Sequence, residues 1–424
     1  MRYYLHTFGC KVNYFDSRRL SQALEARYAL TPAPGPETAD LVLVNTCTVT
    51  HKADAEARRW IRRTHRAAPR SRIVVCGCYA RRDGEGLAAL PEVAGVVDNL
   101  EEEGFLTGLA DLLALEARRE PADPFHFTTA WDRTRAFLKV QDGCNQRCAF
   151  CIIPTVRGAS RSVPPHLVRE AADHLGRQGY RELVLTGINL GTYGWDLTPR
   201  AGLAPLLASL VRLPTAPRLR VSSLEPNLFS PALVDLVTAQ ERIAPHFHVP
   251  LQAGADSTLR RMRRPYTARE YARLLTALHR RRPDAALGAD VMVGFPGETE
   301  AEFAQTAALI EGLPLTYLHV FPSPPRPDTP AAAREPLDPA ALKARTRALR
   351  DLSDRKRLAF WRRFLGQRRP ALVLHPREDG WEALTDNYLR VRLAEDGLAA
   401  NQEVEVEITG VGEETATGRV APPH

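Results

Sequence analysis

Three of the seven cysteines in this 424-residue chain crowd into one short stretch. "DGCNQRCAFCIIP" runs from Asp142 to Pro154 and sets Cys144, Cys148 and Cys151 in the spacing C-x3-C-x2-C. Thiols this close bind a metal, form a disulfide or pack as small hydrophobes. Where thiols stay reduced, clustered cysteines more often bind metal or react. Zinc takes four ligands, often as paired C-x2-C units, and no second pair follows here. Iron–sulfur clusters are held by thiolates, and three ligands on a four-iron cluster leave one iron open to a substrate or cofactor. Gly143, Asn145, Gln146 and Arg147 are loop-forming neighbours, which argues against simple packing.

The other four cysteines are spread over the first 80 residues, and the elements around them explain why three of them matter. "RYYLHTF", "ADLVLVNTC" and "SRIVVCGCYA" are strand-like runs, and "DSRRLSQALEARY" between them has helical spacing. Buried apolar strands alternating with helices predict an open parallel sheet. Such sheets gather functional groups at the carboxyl ends of their strands. Cys10, Cys47 and Cys78 each sit just after a predicted strand, so three distant cysteines can meet on one edge. Cys76 lies inside its strand and reads as a packed hydrophobe.

The mixed stretch "EARREPADPFHFTTAWDRTR" marks a boundary near 125–135. Strand–helix alternation then resumes in "AFLKVQDGC", "ELVLTGINLG", "RLRVSSLEP", "HFHVPLQAG", "GADVMVGFPGE" and "LTYLHVFPSPP". Six such units predict a partial α/β barrel with its chemistry in the loops after the strands. A basic helix follows from about Pro339 to Phe364. Alternating strands such as "EVEVEITGV" then predict a small β-barrel, a shape often used on nucleic acids. The expected fold is α/β, with domains at 1–125, 130–362 and 365–424.

The formal net charge is +7. That excess leans towards an anionic partner such as nucleic acid, although arginine-rich composition alone produces the same number. The N-terminus lacks the apolar stretch of a signal peptide, and no run of about 18 apolar residues predicts a membrane span. A cytoplasmic protein is expected.

The C-x3-C-x2-C motif after a first barrel strand resembles the radical S-adenosylmethionine superfamily, and more closely its methylthiotransferases. "TFGCKVNYFDS", "VNTCTVT", "VVCGCYA", "VQDGCNQRCAFCIIPTVRGASRS", "LTGINLGTYG", "HVPLQAGAD" and "DVMVGFPGET" carry the resemblance. It covers essentially the whole chain, including a tail that looks like a TRAM domain. The resemblance implies two [4Fe-4S] clusters. Cys144, Cys148 and Cys151 match the ligands of the radical-generating cluster, and Cys10, Cys47 and Cys78 those of an auxiliary one. One S-adenosylmethionine would then be spent on a methyl group and a second on the radical. The protein positions this cofactor chemistry. An electron donor such as flavodoxin or ferredoxin is also implied.

Around the S-adenosylmethionine, Phe150 matches a position beside the adenine, and Gly187 and Gly191 match the methionine side. The bland readings are loop packing for Phe150 and a tight turn for the glycines. Ser223 and Glu225 sit at a strand end where they can bond the ribose or methionine; Gln252 and the Gly294–Thr299 loop also sit at strand ends, and that loop reads as lining the cofactor. Asn13 and Asn45 either bond the cluster sulfurs or the nucleobase, or only shape turns. Arg157 and Arg161, after the radical motif, are expected to face phosphate or substrate, or else solvent. The arginine runs at 260–264, 280–282 and 355–363 read first as solvated helix faces. Asp386, Asn387 and Tyr388 fall in a hairpin where an aromatic can stack on a base. One departure stands out: "FPSPPRPDTPA" (Phe321–Ala331) replaces the family's "YSxRxGTxA".

The family modifies adenosine 37 of tRNA or a ribosomal protein. "GCKVN" resembles the threonylcarbamoyladenosine branch, whereas the isopentenyladenosine branch reads "GCQMN". The anticodon loop suits this readout, because its bases can be splayed and stacked. A ribosomal-protein enzyme and a non-catalytic iron–sulfur or zinc RNA-binding module are the alternatives.

Overall fold

The structure is a computed structural model that describes all residues except 99–101, 116–133, 323–325, 327, 334 and 423–424. All but the last two residues of the boundary stretch, and part of the departing Phe321–Ala331 segment, therefore lie outside the described residues. Two compact units result. One takes the described part of 1–130 with 142–146 and 151–161, and the other takes the described part of 131–141, 147–150 and 162–424.

The first unit is built on a five-stranded, all-parallel sheet. Its order is Thr31–Pro32, Arg2–Thr7, Leu41–Thr46, Arg72–Gly77, Gly95–Val96. The central strand Leu41–Thr46 is buried at every position, because helices cover both faces. Leu41, Leu43 and Val74 pack against Leu20, Leu24, Phe105 and Leu109 on one side. Val42, Val44, Ile73 and Val75 pack against Ala57 and Ile61 on the other. Each such side chain contributes about 1.5–3 kcal/mol of burial, which is why these strands carry no polar alternation. Cys76 belongs to the first cluster and is 2 % exposed; burial drives its thiol far above the ordinary range. Register pairs Asn45 with Thr7 and with Cys76, and Thr46 with Gly77. The three strands thus end level, and Cys10, Cys47 and Cys78 leave from the same edge.

The second unit contains six parallel strands, here the first to sixth barrel strands. They are Ala136–Asp142, Glu182–Gly187, Arg218–Val221, His246–His248, Ala286–Val293 and Tyr317–Pro322. The first three pair in order, as do the last three; an isolated bridge pairs Leu219 of the third strand with Ile243, just before the fourth. Helices return the chain between strands. Two of them, Ala268–Arg281 and Glu300–Gly312, start in full capping boxes at Thr267/Glu270 and Thr299/Glu302, the Thr-x-x-Glu pattern that satisfies orphan N–H groups at a helix start.

The helix Pro339–Arg362 leads into a closed five-stranded barrel of Arg368–Arg377, Gly380–Thr385, Arg390–Leu393, Glu403–Val411 and Ala416–Val420. Val406 and Ile408 point inward, as their alternation with glutamates requires. Phe360 and Trp361 from the helix, Phe364 just after it and Ala286 from the fifth barrel strand join that core. The small barrel is therefore packed onto the large one within this unit. Buried Glu182 strengthens the seam. It accepts from Arg220 twice at 2.8 Å and from Arg218 at 3.0 Å, and Arg220 also lies 5.3 Å from the Tyr388 ring centre. Tyr388 in turn stacks on His246 at 3.9 Å. Its ring is occupied by the protein, so it is not a free platform for a base.

Candidate cluster and cofactor sites

The edge of the N-terminal sheet holds the first site. Cys10 is exposed, while Cys47 and Cys78 are buried. Gly9 adopts φ +109°, and a Cβ there would lie 2.6 Å from Cys47 Cβ and 3.1 Å from its Sγ. Only glycine allows the first loop to lie this close. The cysteines also sense one another. Burial, with Cys78 and Cys10 as further contributors, pushes the Cys47 thiol up to about 12. Burial raises Cys78 as well, against the pull of Arg157.

Arg157 ties this site together. It ends the short helix Ile153–Arg157 and is 4 % exposed. Nη1 donates to both oxygens of Asp142 at 2.9 and 3.0 Å. Nη2 donates to Asn13 Oδ1 at 2.8 Å and Asp16 Oδ2 at 3.0 Å, and Nε lies 3.3 Å from Cys78 Sγ. All five guanidinium N–H groups are thus used. Burial opposes its charge, but Asp16, Cys78 and Asp142 hold it firmly protonated. Arg157 is therefore committed to partners within the protein, and the solvated reading for it does not hold. Asn13 does both: its Oδ1 accepts from Cys10 Sγ at 3.6 Å, and its Nδ2 donates to Phe8 O at 2.9 Å and Thr46 O at 3.1 Å. Asn45 shapes the turn, donating to Asn13 O at 3.1 Å and Ser17 Oγ at 2.9 Å.

This donor set fits an iron–sulfur cluster. Three cysteine sulfurs gathered at one sheet edge are the thiolate ligands that such clusters take. An anion there also meets a fixed cation, Arg157. In protein stripped of metal, the thiolate is the reactive form. Iodoacetamide at pH 8 should therefore modify Cys10 well before Cys47, with the order read by peptide mass spectrometry; equal rates would contradict this burial.

The loop after the first barrel strand is pinned along its length. Gly143 has φ +67°, and a Cβ there would come 2.0 Å from Ala159 O. Cys144 N–H donates to Gly158 O at 3.0 Å, Gln146 N–H points at Cys144 Sγ at 3.4 Å, and Ser160 N–H donates to Asn145 Oδ1 at 3.0 Å. Cys151 is half-buried. In the second unit, Ala149 N–H donates to Met262 O at 3.0 Å and its carbonyl accepts from Ala331 N–H at 2.9 Å. Phe150 packs against the cluster of Ala149, Met262 and Phe295.

Cys148 meets an arginine of its own. Arg264 Nη1 lies 3.1 Å from Cys148 Sγ, its Nε bonds the Tyr266 hydroxyl at 3.2 Å, and it forms an ion pair with Glu225. Glu225 therefore orients the cation at Cys148. Within the 260–264 run, Arg261 is likewise bound, to Glu302 at 2.7 and 2.8 Å, whereas Arg260 and Arg263 are exposed. What sequence reasoning missed is that Arg157 and Arg264 each face a cysteine sulfur.

The remaining strand-end residues divide by role. Ser223 is exposed at the end of the third barrel strand. Beside it, Ser222 Oγ is buried with no hydrogen-bond partner among the described residues, an orphan suited to a polar ligand. Gln252 sits at φ +63°, its N–H bonded to Asp290 O at 2.8 Å and its carbonyl to Met292 N–H at 2.9 Å. Gly187 borders Gln141, where a Cβ would come 3.0 Å from Oε1. Gly191 is required by packing, since a Cβ there would lie 2.6 Å from Leu228 Cβ. In the Gly294–Thr299 loop, Glu298 Oε2 already takes the Gly294 N–H at 2.9 Å and Arg345 Nη1 at 3.1 Å. The protein's own carboxylate fills the place a phosphate would need.

Residues 2–98 match a family described as "Uncharacterized protein family UPF0004", and residues 138–310 match the radical SAM superfamily. The chain is 34 % identical to the threonylcarbamoyladenosine tRNA methylthiotransferase MtaB of Aquifex aeolicus over 92 % of this chain and 96 % of the relative. It is 37 % identical to the MtaB of Bacillus subtilis over 91 % and 89 %. A tRNA-2-methylthio-N(6)-dimethylallyladenosine synthase of Ruegeria pomeroyi is 31 % identical over 99 % and 98 %. Among solved structures, the radical S-adenosylmethionine methyltransferase TsrM of Kitasatospora setae shares the fold, with a TM-score of 0.58 at 18 % identity over 78 % of this chain and 73 % of that one.

Proposed function

The chain belongs to the radical S-adenosylmethionine tRNA methylthiotransferases, and from that premise we propose that it adds a methylthio group to carbon 2 of threonylcarbamoyladenosine at position 37 of tRNA, using two S-adenosylmethionines and two [4Fe-4S] clusters. The observation that carries this reading is the pair of cysteine triplets at strand ends, each with a buried arginine aimed at one sulfur: Arg157 at Cys78 and Arg264 at Cys148. Charge-assisted donors of this kind favour thiolate over thiol.

When bound, a four-iron cluster with one open iron supplies one-electron cleavage of S-adenosylmethionine and thereby a carbon radical. The rest is the protein's work of holding and orienting. Cys144, Cys148 and Cys151 hold that cluster, with Arg264 fixed by Glu225 and Tyr266. Phe150, Gly187, Ser223 and Gln252 line the cofactor, and the orphan Ser222 hydroxyl adds a polar contact. Cys10, Cys47 and Cys78 hold the auxiliary cluster that carries sulfur. Lys11 within "GCKVN" supports the threonylcarbamoyl branch, whose nucleoside bears a carboxylate. The Ruegeria pomeroyi relative keeps the isopentenyl branch as the second reading. The partner surface is the basic one that the net charge implies, and flavodoxin or ferredoxin is the class of electron donor. Among the described residues no helix is long and apolar enough to cross a membrane; we assign the enzyme to the cytoplasm with its tRNA.

Nucleoside mass spectrometry of tRNA from cells lacking the gene tests the reading. The 2-methylthio form of threonylcarbamoyladenosine should vanish and return with a restoring copy. Loss of the 2-methylthio isopentenyl nucleoside instead would move the enzyme to the other branch, and an unchanged profile would remove tRNA as its substrate.

A further inference from the structure

The last three barrel strands carry a group that none of the cluster or cofactor chemistry uses. His248, Asp290 and His319 come from the fourth, fifth and sixth strands, and their ligand atoms all lie within 4.8 Å of one another. Register explains the meeting. Asp290 lies directly opposite His319, and His248 lies opposite Gly288, two residues before Asp290 on the same face. We propose that these three side chains form a site for a divalent first-row transition ion, separate from both cysteine triplets.

The geometry is that of a two-histidine, one-carboxylate face. His248 Nε2 lies 3.0 Å from Asp290 Oδ1, and His319 Nδ1 lies 3.2 Å from the same oxygen. Donors on one ion with bonds of about 2.0–2.1 Å stand about 3 Å apart, so an ion enters without moving them far. The outer hydrogen bond that metal-bound histidines need is also present. The Tyr317 hydroxyl lies 3.1 Å from His248 Nδ1 and 2.7 Å from His246 Nε2, which leaves His248 Nε2 to face the carboxylate. There is a way in. His319 is exposed, and with Tyr317 it lines a cavity of about 600 Å³ whose other walls include Ser353, Arg357, Tyr388 and Glu413. Three protein ligands leave coordination positions open towards that cavity. Ligand identity, spacing, outer support and access all hold. Without an ion, the same atoms make a carboxylate that accepts two imidazole hydrogen bonds, and the experiment separates the two.

Holoprotein with its clusters assembled anaerobically is dialysed against zinc, and zinc and iron are counted by mass spectrometry. Wild type should retain about one more zinc per chain than the His248→Ala/His319→Ala variant, with equal iron in both. Zinc should also raise the thermal midpoint of wild type alone, because an ion that binds only the folded state stabilises it. Asp290→Asn, which keeps shape and hydrogen bonding, should lose the zinc while staying folded if the alanine variant does not fold. Equal zinc in wild type and variants, or none in wild type, overturns the proposal.

Discussion

Replacing Cys144, Cys148 and Cys151 together by alanine should leave about half of the reconstituted iron and abolish both 5′-deoxyadenosine formation and methylthiolation. Two four-iron clusters hold about eight irons, so about four should remain on Cys10, Cys47 and Cys78. The substitution is mild for the backbone: the Cys144 N–H bond to Gly158 O and the Ala149 bonds to Met262 and Ala331 involve no sulfur. The converse variant, with Cys10, Cys47 and Cys78 changed, should keep 5′-deoxyadenosine formation and lose only the methylthiolated product. Iron assay, anaerobic cofactor cleavage under reductant and tRNA nucleoside analysis read the three quantities separately. Loss of all the iron in the first variant, or of none, would remove the two-cluster assignment.

Local patterns made much of this legible. The runs at Leu41–Thr46 and Arg72–Gly77 announce buried parallel strands by their lack of alternation, and that places Cys10, Cys47 and Cys78 on one edge before any coordinates. C-x3-C-x2-C is legible because its ligands are neighbours in sequence. What sequence hides is partnership at a distance. Arg157 reaches Cys78, 79 residues away, and Arg264 reaches Cys148, 116 residues away. In "RRMRRP" a solvated arginine and a buried one look alike, because pairing rather than composition decides burial. Tyr388 shows the same limit, since its hairpin position is visible in sequence but its stacking on His246 is not. The His248–Asp290–His319 group depends on strand register, which sequence alternation constrains only to a face.

Arg157→Met should destabilise the first unit by about 3–5 kcal/mol, the usual cost of removing one partner from a buried ion pair. Met keeps the stem's volume and deletes the five donors, so Asp142 and Asp16 lose their cation and Asn13 Oδ1 and Cys78 Sγ lose their N–H. Arg157→Lys should rescue little, because an ammonium has three donors and no planar fork for Asp142. Urea unfolding should show a lower midpoint with the slope kept, as a change in stability alone requires. Neutralising the stranded carboxylate with Asp142→Asn in the Arg157→Met background should recover part of the loss, a coupling that independent sites would not show. A positioning role at the cluster predicts more than instability. At temperatures where the Met variant is folded, it should bind less auxiliary-site iron while the iron held by Cys144, Cys148 and Cys151 still supports 5′-deoxyadenosine formation. A variant that unfolds at the wild-type urea concentration and keeps full iron would show that Arg157 supports neither the loop nor the sulfur beside it.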